Sequence, residues 1–249
     1  MEINKTKWQQ RCQWLTSPLG QALLAVEGME LSRILPKTRL GRFGLIFHAA
    51  PLFDAVVKTR VRDLVCATPE VSHEYPHHLS IVSDPQALPL LENTMSMVFL
   101  PHILELTESP EQALAEAVNA LTGEGMIVIT GFNPTSFWGL KRLWTNDKMP
   151  YLGRFVSPNR IRRFLKNNDC QLLKTRTVYY RPPVSCNKVQ AWMRFMEVLG
   201  RLCWPAFGGA YVIVAQKKMV TLTPMTATWK VKNFLTNKGL IAPTPRSRI

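Results

Sequence analysis

Acidic side chains are in short supply in this sequence: 17 Asp and Glu stand against 31 Lys and Arg, a formal net charge of +14. A surface of that sign draws anionic partners such as RNA, DNA, an acidic protein or a phospholipid face, which bears on encounter and not on chemistry. Cysteine pairs are missing too. The five cysteines, Cys12, Cys66, Cys170, Cys186 and Cys203, are widely spaced, odd in number and form no CxxC pair. Neither a disulfide framework nor a zinc site is expected from them, and a reducing cytoplasm is the natural compartment. Nor is there a long apolar run. The longest uncharged apolar stretch, Leu202 to Ala215, is broken by Pro205, Gly208 and Gly209, and it falls short of the roughly 20 residues a membrane helix needs. Lys5, Lys7 and Arg11 are followed by no continuous apolar segment, so no signal peptide is expected.

What is present is enough apolar material, 46% of 249 residues, for one domain with a large core and some appendages. The first 36 residues read as two helical pieces, with Trp8, Cys12 and Leu15 on one face, forming an N-terminal cover. From Arg42 the pattern turns to short β-prone runs separated by helices, the alternation of an α/β fold with a mostly parallel sheet. Candidate strands are Phe43 to His48, Asp63 to Ala67, Leu79 to Val82, Met95 to Leu100, Met126 to Thr130, Leu172 to Tyr180 and Ala210 to Lys217.

Ser109-Pro110-Glu111-Gln112 has the form of a capping box and opens a helix carrying Leu114, Ala117, Val118 and Leu121 on one face, stopped by Gly123 and Gly125. Ser157-Pro158 opens a second, with Ile161, Phe164 and Leu165 inward and Arg160, Arg162, Arg163 and Lys166 outward. Trp192, Phe195, Met196 and Leu199 are spaced for a buried helix. The chain thus divides into a cover (1–36), a main domain (37–218) and a basic tail (219–249) with five Lys or Arg and no acid.

Several residues invite chemistry. His102 follows a strand end and suits either a general base near neutral pH or a structural hydrogen bond. His73, Glu74, His77 and His78 crowd one loop, but Pro76 breaks any helix that would align two of them, so a solvated loop is expected and no metal. Residues 137–188 hold 12 Lys or Arg against Asp147 and Asp169, interleaved with Trp138, Trp144, Tyr151, Phe155, Tyr179 and Tyr180. That mixture fits nucleic-acid phosphates and stacked bases. It also fits cations snorkelling over a buried aromatic cluster.

Three stretches together resemble a known family: Asp84-Pro-Gln-Ala87-Leu88-Pro89, Ser96-Met97-Val98 leading to Pro101, and Thr130-Gly-Phe-Asn-Pro-Thr-Ser-Phe-Trp138-Gly-Leu-Lys141. They are similar to the type 11 branch of class I S-adenosylmethionine (SAM)-dependent methyltransferases, over roughly Gly20 to Lys217. The resemblance implies a Rossmann-like, seven-stranded, mostly parallel sheet with flanking helices and an antiparallel last strand. It also implies SAM as cofactor and an unidentified methyl acceptor. By that likeness Asp84 faces the adenine with Ala87 and Leu88 beside it, and Pro101 begins the loop below the cofactor.

The departure comes after the first strand. Where the family has a glycine-rich loop, Gly44-Leu-Ile-Phe-His48-Ala49-Ala50-Pro51 places His48 and Ala49 at the cofactor contact, although glycine there permits positive φ and close backbone approach. Glu70 is the one acid near the second strand's end available for the ribose. Two functions follow as alternatives: a SAM-dependent methyltransferase, or a non-catalytic protein of the same fold binding RNA, an acidic protein or a membrane surface through its basic face.

Overall fold

Alternate side chains of a strand point to opposite faces, and in this chain both faces of the central strands are apolar. The computed structural model describes residues 5–47, 60–69, 79–142, 153–181, 200 and 202–219. Seven strands form one sheet: β1 (Gly41–Phe47), β2 (Val61–Thr68), β3 (Leu79–Val82), β4 (Met95–Pro101), β5 (Leu121–Phe132), β6 (Cys170–Val178) and β7 (Ala210–Lys217). Their order is β3-β2-β1-β4-β5-β7-β6, with every pairing parallel except the two made by β7. This is the expected α/β architecture with its reversed last strand.

Helices cover both faces: α1 (Lys5–Leu15), α2 (Pro18–Ile34), α3 (Pro110–Ala120), α4 (Phe137–Arg142) and α5 (Pro158–Asn167). On one face Leu45, Val98, Leu100 and Ile127 pack with Leu114 and Val118 of α3 and with Ile161 and Leu165 of α5. On the other, Ile46, Met97, Phe99 and Val128 meet Leu23, Leu24 and Leu31 of α2. Trp8 belongs to the first core and Leu15 to the second. Between them Arg11 bonds to Glu105, four residues past the end of β4, so α1 lies across the carboxyl edge of the sheet. The expected N-terminal cover is therefore built into the core through α2.

Element ends differ from expectation for local reasons. Met126 to Thr130 is only the middle of the buried run of β5, which begins at Leu121 directly after α3. The positive φ in that passage is taken by Glu124 (65°), while Gly125 is needed for clearance, a Cβ there lying 2.9 Å from the Thr122 carbonyl. Strand β6 starts two residues early because Asp169, at φ 52°, turns α5 straight into it, and Tyr179, at φ 60°, ends it. Neither Ser109 nor Ser157 makes the expected side-chain cap. Pro at the first helical position still suits both starts. The buried helix expected around Trp192 to Leu199, the His73–His78 loop and the basic tail lie outside the described residues.

Candidate functional site

Ligands of open α/β sheets sit at the carboxyl ends of the strands, where the strand order reverses direction. In this sheet that place is between β1 and β4. Of the residues expected there, His48, Ala49 and Glu70 lie outside the described residues, while Asp84, Ala87, Leu88, Pro101 and His102 are placed.

Asp84 follows β3 and is half-buried. Its Oδ1 accepts from the Gln86 backbone N–H at 2.9 Å, and the Ala87 N–H bonds back to the Asp84 carbonyl at 3.0 Å. Asp followed by Pro is suited to such a turn. The turn is then tied to α3: Gln86 Oε1 accepts from the Ser109 N–H at 3.0 Å, and Glu116 Oε2 accepts from the Leu88 N–H at 3.2 Å. Ala87 is exposed at the turn's tip, whereas Leu88 is buried in the core. Pro101 is buried at the end of β4.

His102, next in the chain, is sealed from solvent and held at φ 50°, in the left-handed region that residues with a Cβ seldom adopt. Its Nε2 sits 3.0 and 3.2 Å from the two carboxylate oxygens of Glu27 on α2. Its Nδ1 is 3.6 Å from Glu105 Oε1, an ion-pair distance too long for a hydrogen bond. Glu105 is shared further: Oε2 accepts from Arg11 Nη1 at 2.5 Å and Oε1 from the Phe132 backbone N–H at 2.5 Å. All four side chains are buried.

Burial alone pushes the His102 imidazole down. The charge of Glu27, its hydrogen bond and the charge of Glu105 outweigh that, and the pKa is raised from 6.5 to about 9. Burial likewise pushes Glu105 up, but Arg11 and then His102 hold it below the usual carboxylate value. With both cations charged the quartet is neutral, and the imidazolium donates from Nε2 to Glu27 while Nδ1 faces Glu105 at ion-pair distance. Beside it, burial and then the charges of Glu105 and Glu27 push the Tyr211 phenol well above its usual value.

The segment after β5 is organised by Asn133. Its Nδ2 donates to the carbonyls of Ala206 (2.7 Å) and Gly208 (3.0 Å), and its Oδ1 accepts from the backbone and hydroxyl of Thr135. One amide thereby joins the exit of β5 to the entrance of β7. Gly139 is required because a Cβ there would lie 2.0 Å from the Pro134 carbonyl oxygen. Trp138 is buried, stacks on Phe132 at 5.5 Å between ring centroids and donates Nε1–H to the Arg181 carbonyl at 3.0 Å. Phe155 stacks on the same ring at 5.2 Å, and Trp138 meets Tyr179 edge-on. Trp138, Phe155 and Tyr179 are thus core residues, not platforms for stacked bases; Trp144 and Tyr151 lie outside the described residues.

Next to this segment lies an open cavity of about 690 Å³, walled by Pro134, Phe137, Leu140, Tyr180, Trp204 and Phe207. It flanks the β5–β7–β6 half of the carboxyl edge, the half away from Asp84. Nothing in the sequence marked Glu27 as the partner of His102, Arg11 as the partner of Glu105 or Tyr211 as a residue under the field of both carboxylates, nor Trp204 and Phe207 as walls of this cavity. The stretch from Thr130 to Lys141 did draw attention.

No family model matches this sequence. A curated relative, the uncharacterized protein YafS of Escherichia coli (strain K12), is 32% identical over 147 residues, 58% of this chain and 58% of the relative's length. Among solved structures, a SAM-dependent methyltransferase of Thermotoga maritima superposes with TM-score 0.60 at 15% identity, covering 86% of this chain and 96% of its own. The fold is the methyltransferase fold. A SAM-dependent methyltransferase of Archaeoglobus fulgidus superposes with TM-score 0.55 at 18% identity over 77% of this chain and 93% of its own. The [4+2]-cyclase SpnF does so with TM-score 0.54 at 13% identity, over 78% and 80%. One architecture therefore carries more than one chemistry among its neighbours, and function has to be argued from the site.

Proposed function

We propose that this chain is a SAM-dependent methyltransferase whose cofactor lies over the carboxyl ends of β1 to β4 and whose acceptor approaches from the β5–β7 side. The observation that carries it is the strand order with β7 reversed, shared with SAM-dependent methyltransferases over 77–86% of the chain. SAM would supply a methyl group on a sulfonium, ready for in-line attack. What the protein adds is alignment of the two reactants and exclusion of water.

Of the residues expected at the cofactor, the half-buried Asp84 and the exposed Ala87 support the reading, whereas Leu88 and Pro101 are buried. The Asp84 carboxylate, held at the end of β3 by the Gln86 N–H, would accept from an adenine amino group. Asp84→Asn keeps Oδ1 for the turn but turns the other oxygen into a donor. His102 serves position more than proton transfer, since the Glu27 carboxylate occupies its Nε2. No residue is assigned as catalytic base, because an acceptor that is already nucleophilic needs none.

Calorimetric titration with SAM tests the reading. Saturable heat with a thermal shift is expected, weakened about tenfold in Asp84→Asn for one lost hydrogen bond; no heat and no shift at millimolar SAM would overturn it. The absence of glycines between Phe47 and Pro51 favours a second reading, a non-catalytic protein of the same fold binding RNA through its basic face. That reading demands binding that weakens steeply as salt is added.

A further inference from the structure

The wall around Glu105 holds a buried hydroxyl that nothing in the resting chain uses. Tyr211 is sealed from solvent, and its hydroxyl has no hydrogen-bond partner among the described residues. It lies beside Glu105 Oε1: a Cβ on Gly131 would collide with the Tyr211 hydroxyl and sit 3.1 Å from that oxygen. The glycine is what lets the two groups share one space. A buried hydroxyl left unpaired is costly and calls for a partner.

The other walls suit a cation. Without Arg11, the buried carboxylates of Glu27 and Glu105 and the His102 imidazolium would carry one net negative charge. The Phe132 ring lies under the Arg11 guanidinium at 5.1 Å, and an aromatic face attracts cations. Carboxylate, phenol and ring together make a guanidinium site, which the chain fills from its own α1. Arg11 reaches Glu105 Oε2 through Nη1 and leaves the phenol unused. A guanidinium not tethered to α1 can use both.

The helix that carries Arg11 is weakly founded. With 11 residues it is too short to be stable in water by itself. Its sequence carries Lys5, Lys7 and Arg11 and no acid, so nothing in its first turn favours the helix dipole. The ion pair adds little to its hold, because undocking returns both charges to water and recovers the desolvation that burial costs. Its apolar anchors are Trp8 and Leu15, one in each core.

We propose that Glu105, Phe132 and Tyr211 form a binding site for a guanidinium group from outside the chain, that Arg11 fills this site at rest, and that the incoming group displaces α1 from the carboxyl edge. The cation is a handle and takes no part in bond making. That it belongs to the methyl acceptor rests on the methyltransferase reading; the binding does not.

The test uses the full chain without SAM, with propylguanidinium, equivalent to the Arg11 side chain, and neutral propylurea as probes at millimolar concentration. Calorimetry and amide hydrogen exchange are the readouts. The wild type should bind one propylguanidinium and no propylurea, and binding should speed exchange of the α1 amides while leaving those of β4 unchanged. Arg11→Ala, which lacks the competitor, should bind propylguanidinium about tenfold more tightly than the wild type. Tyr211→Phe removes an unpaired hydroxyl, so its Tm should hold or rise, yet its affinity should fall about tenfold for one lost hydrogen bond. No binding to the wild type, binding with α1 exchange unchanged, equal binding of propylurea, or undiminished binding in Tyr211→Phe would overturn the proposal. These readings stand even where Arg11→Ala does not fold. N-acetylarginine amide separates the sources: binding tighter than that of propylguanidinium supports an arginyl side chain of a protein, and weaker binding supports a free small guanidine. Propylguanidinium binding with a null SAM titration would leave this site standing and remove only the methyl-transfer reading, and the reverse would remove only this site.

Discussion

Two carboxylates sealed from water need two cations to accompany them, and the pairs Arg11 with Glu105 and His102 with Glu27 meet that need. Desolvating four charges consumes most of what their attraction returns, so the quartet contributes modestly as a whole, while removing one member leaves an uncompensated charge at about 3–5 kcal/mol. The pH dependence follows from His102. Its folded pKa is raised, from 6.5 to about 9, so its stabilising contribution is complete below pH 6.5 and is lost as pH rises through 9. The full shift corresponds to roughly 3 kcal/mol. Thermal melts taken between pH 6.5 and 9 should show a falling Tm in the wild type and a flatter profile in His102→Gln, whose Tm is lower throughout. A wild-type Tm that stays level across that window would contradict the buried imidazolium.

Between α1 and α2 the chain reverses in a turn so tight that Gly20 is indispensable: a Cβ there would lie 2.5 Å from the Trp14 carbonyl oxygen and 2.7 Å from Leu15 Cα. Helix propensity favours Ala over Gly by about 1 kcal/mol, so on local grounds Gly20→Ala should stabilise α2. The clash is with backbone, which yields only if α1 shifts and carries Arg11 with it. We expect a net loss of about 1–3 kcal/mol, measured by urea unfolding; a gain in stability would show that α1 moves freely. The elements themselves were largely legible, because strands buried on both faces read as unbroken apolar runs, as in Met97-Val98-Phe99-Leu100. The missed details are those with no periodic signature. Glu124, between Gly123 and Gly125, takes the left-handed turn itself, and the Ser109 N–H finds Gln86, 23 residues earlier, instead of a capping box.

Across the whole molecule, positive charge is unevenly answered: 31 cations share 17 anions, and two of those anions, Glu27 and Glu105, are committed inside. Self-repulsion of that kind is weakened by salt, with a screening length of about 10 Å at about 0.1 M. Raising NaCl from about 0.02 to about 0.3 M should therefore raise Tm by a few degrees; a Tm that falls would mean that surface ion pairs outweigh repulsion. The candidate site was less legible than the fold for a reason of the same scale. Glu27 and His102 lie 75 residues apart, and Arg11 and Glu105 lie 94 apart, so each pairing exists only once the sheet has formed. Asp84 and the Thr130 to Lys141 stretch could be picked out because each is a continuous run of sequence, even though Asn133 and Trp138 find their partners in distant segments.

Phe132 is where separate parts of the chain share one wall. Its ring carries the Arg11 guanidinium at 5.1 Å, His102 at 4.6 Å, and Trp14, Trp138 and Phe155 on its remaining sides. A change in the N-terminal helix is therefore felt under α4, at the lip of the apolar cavity, without any shift of the strands between. Damage at the two ends of this aromatic joint will not sum, because each end is already leaning on the other.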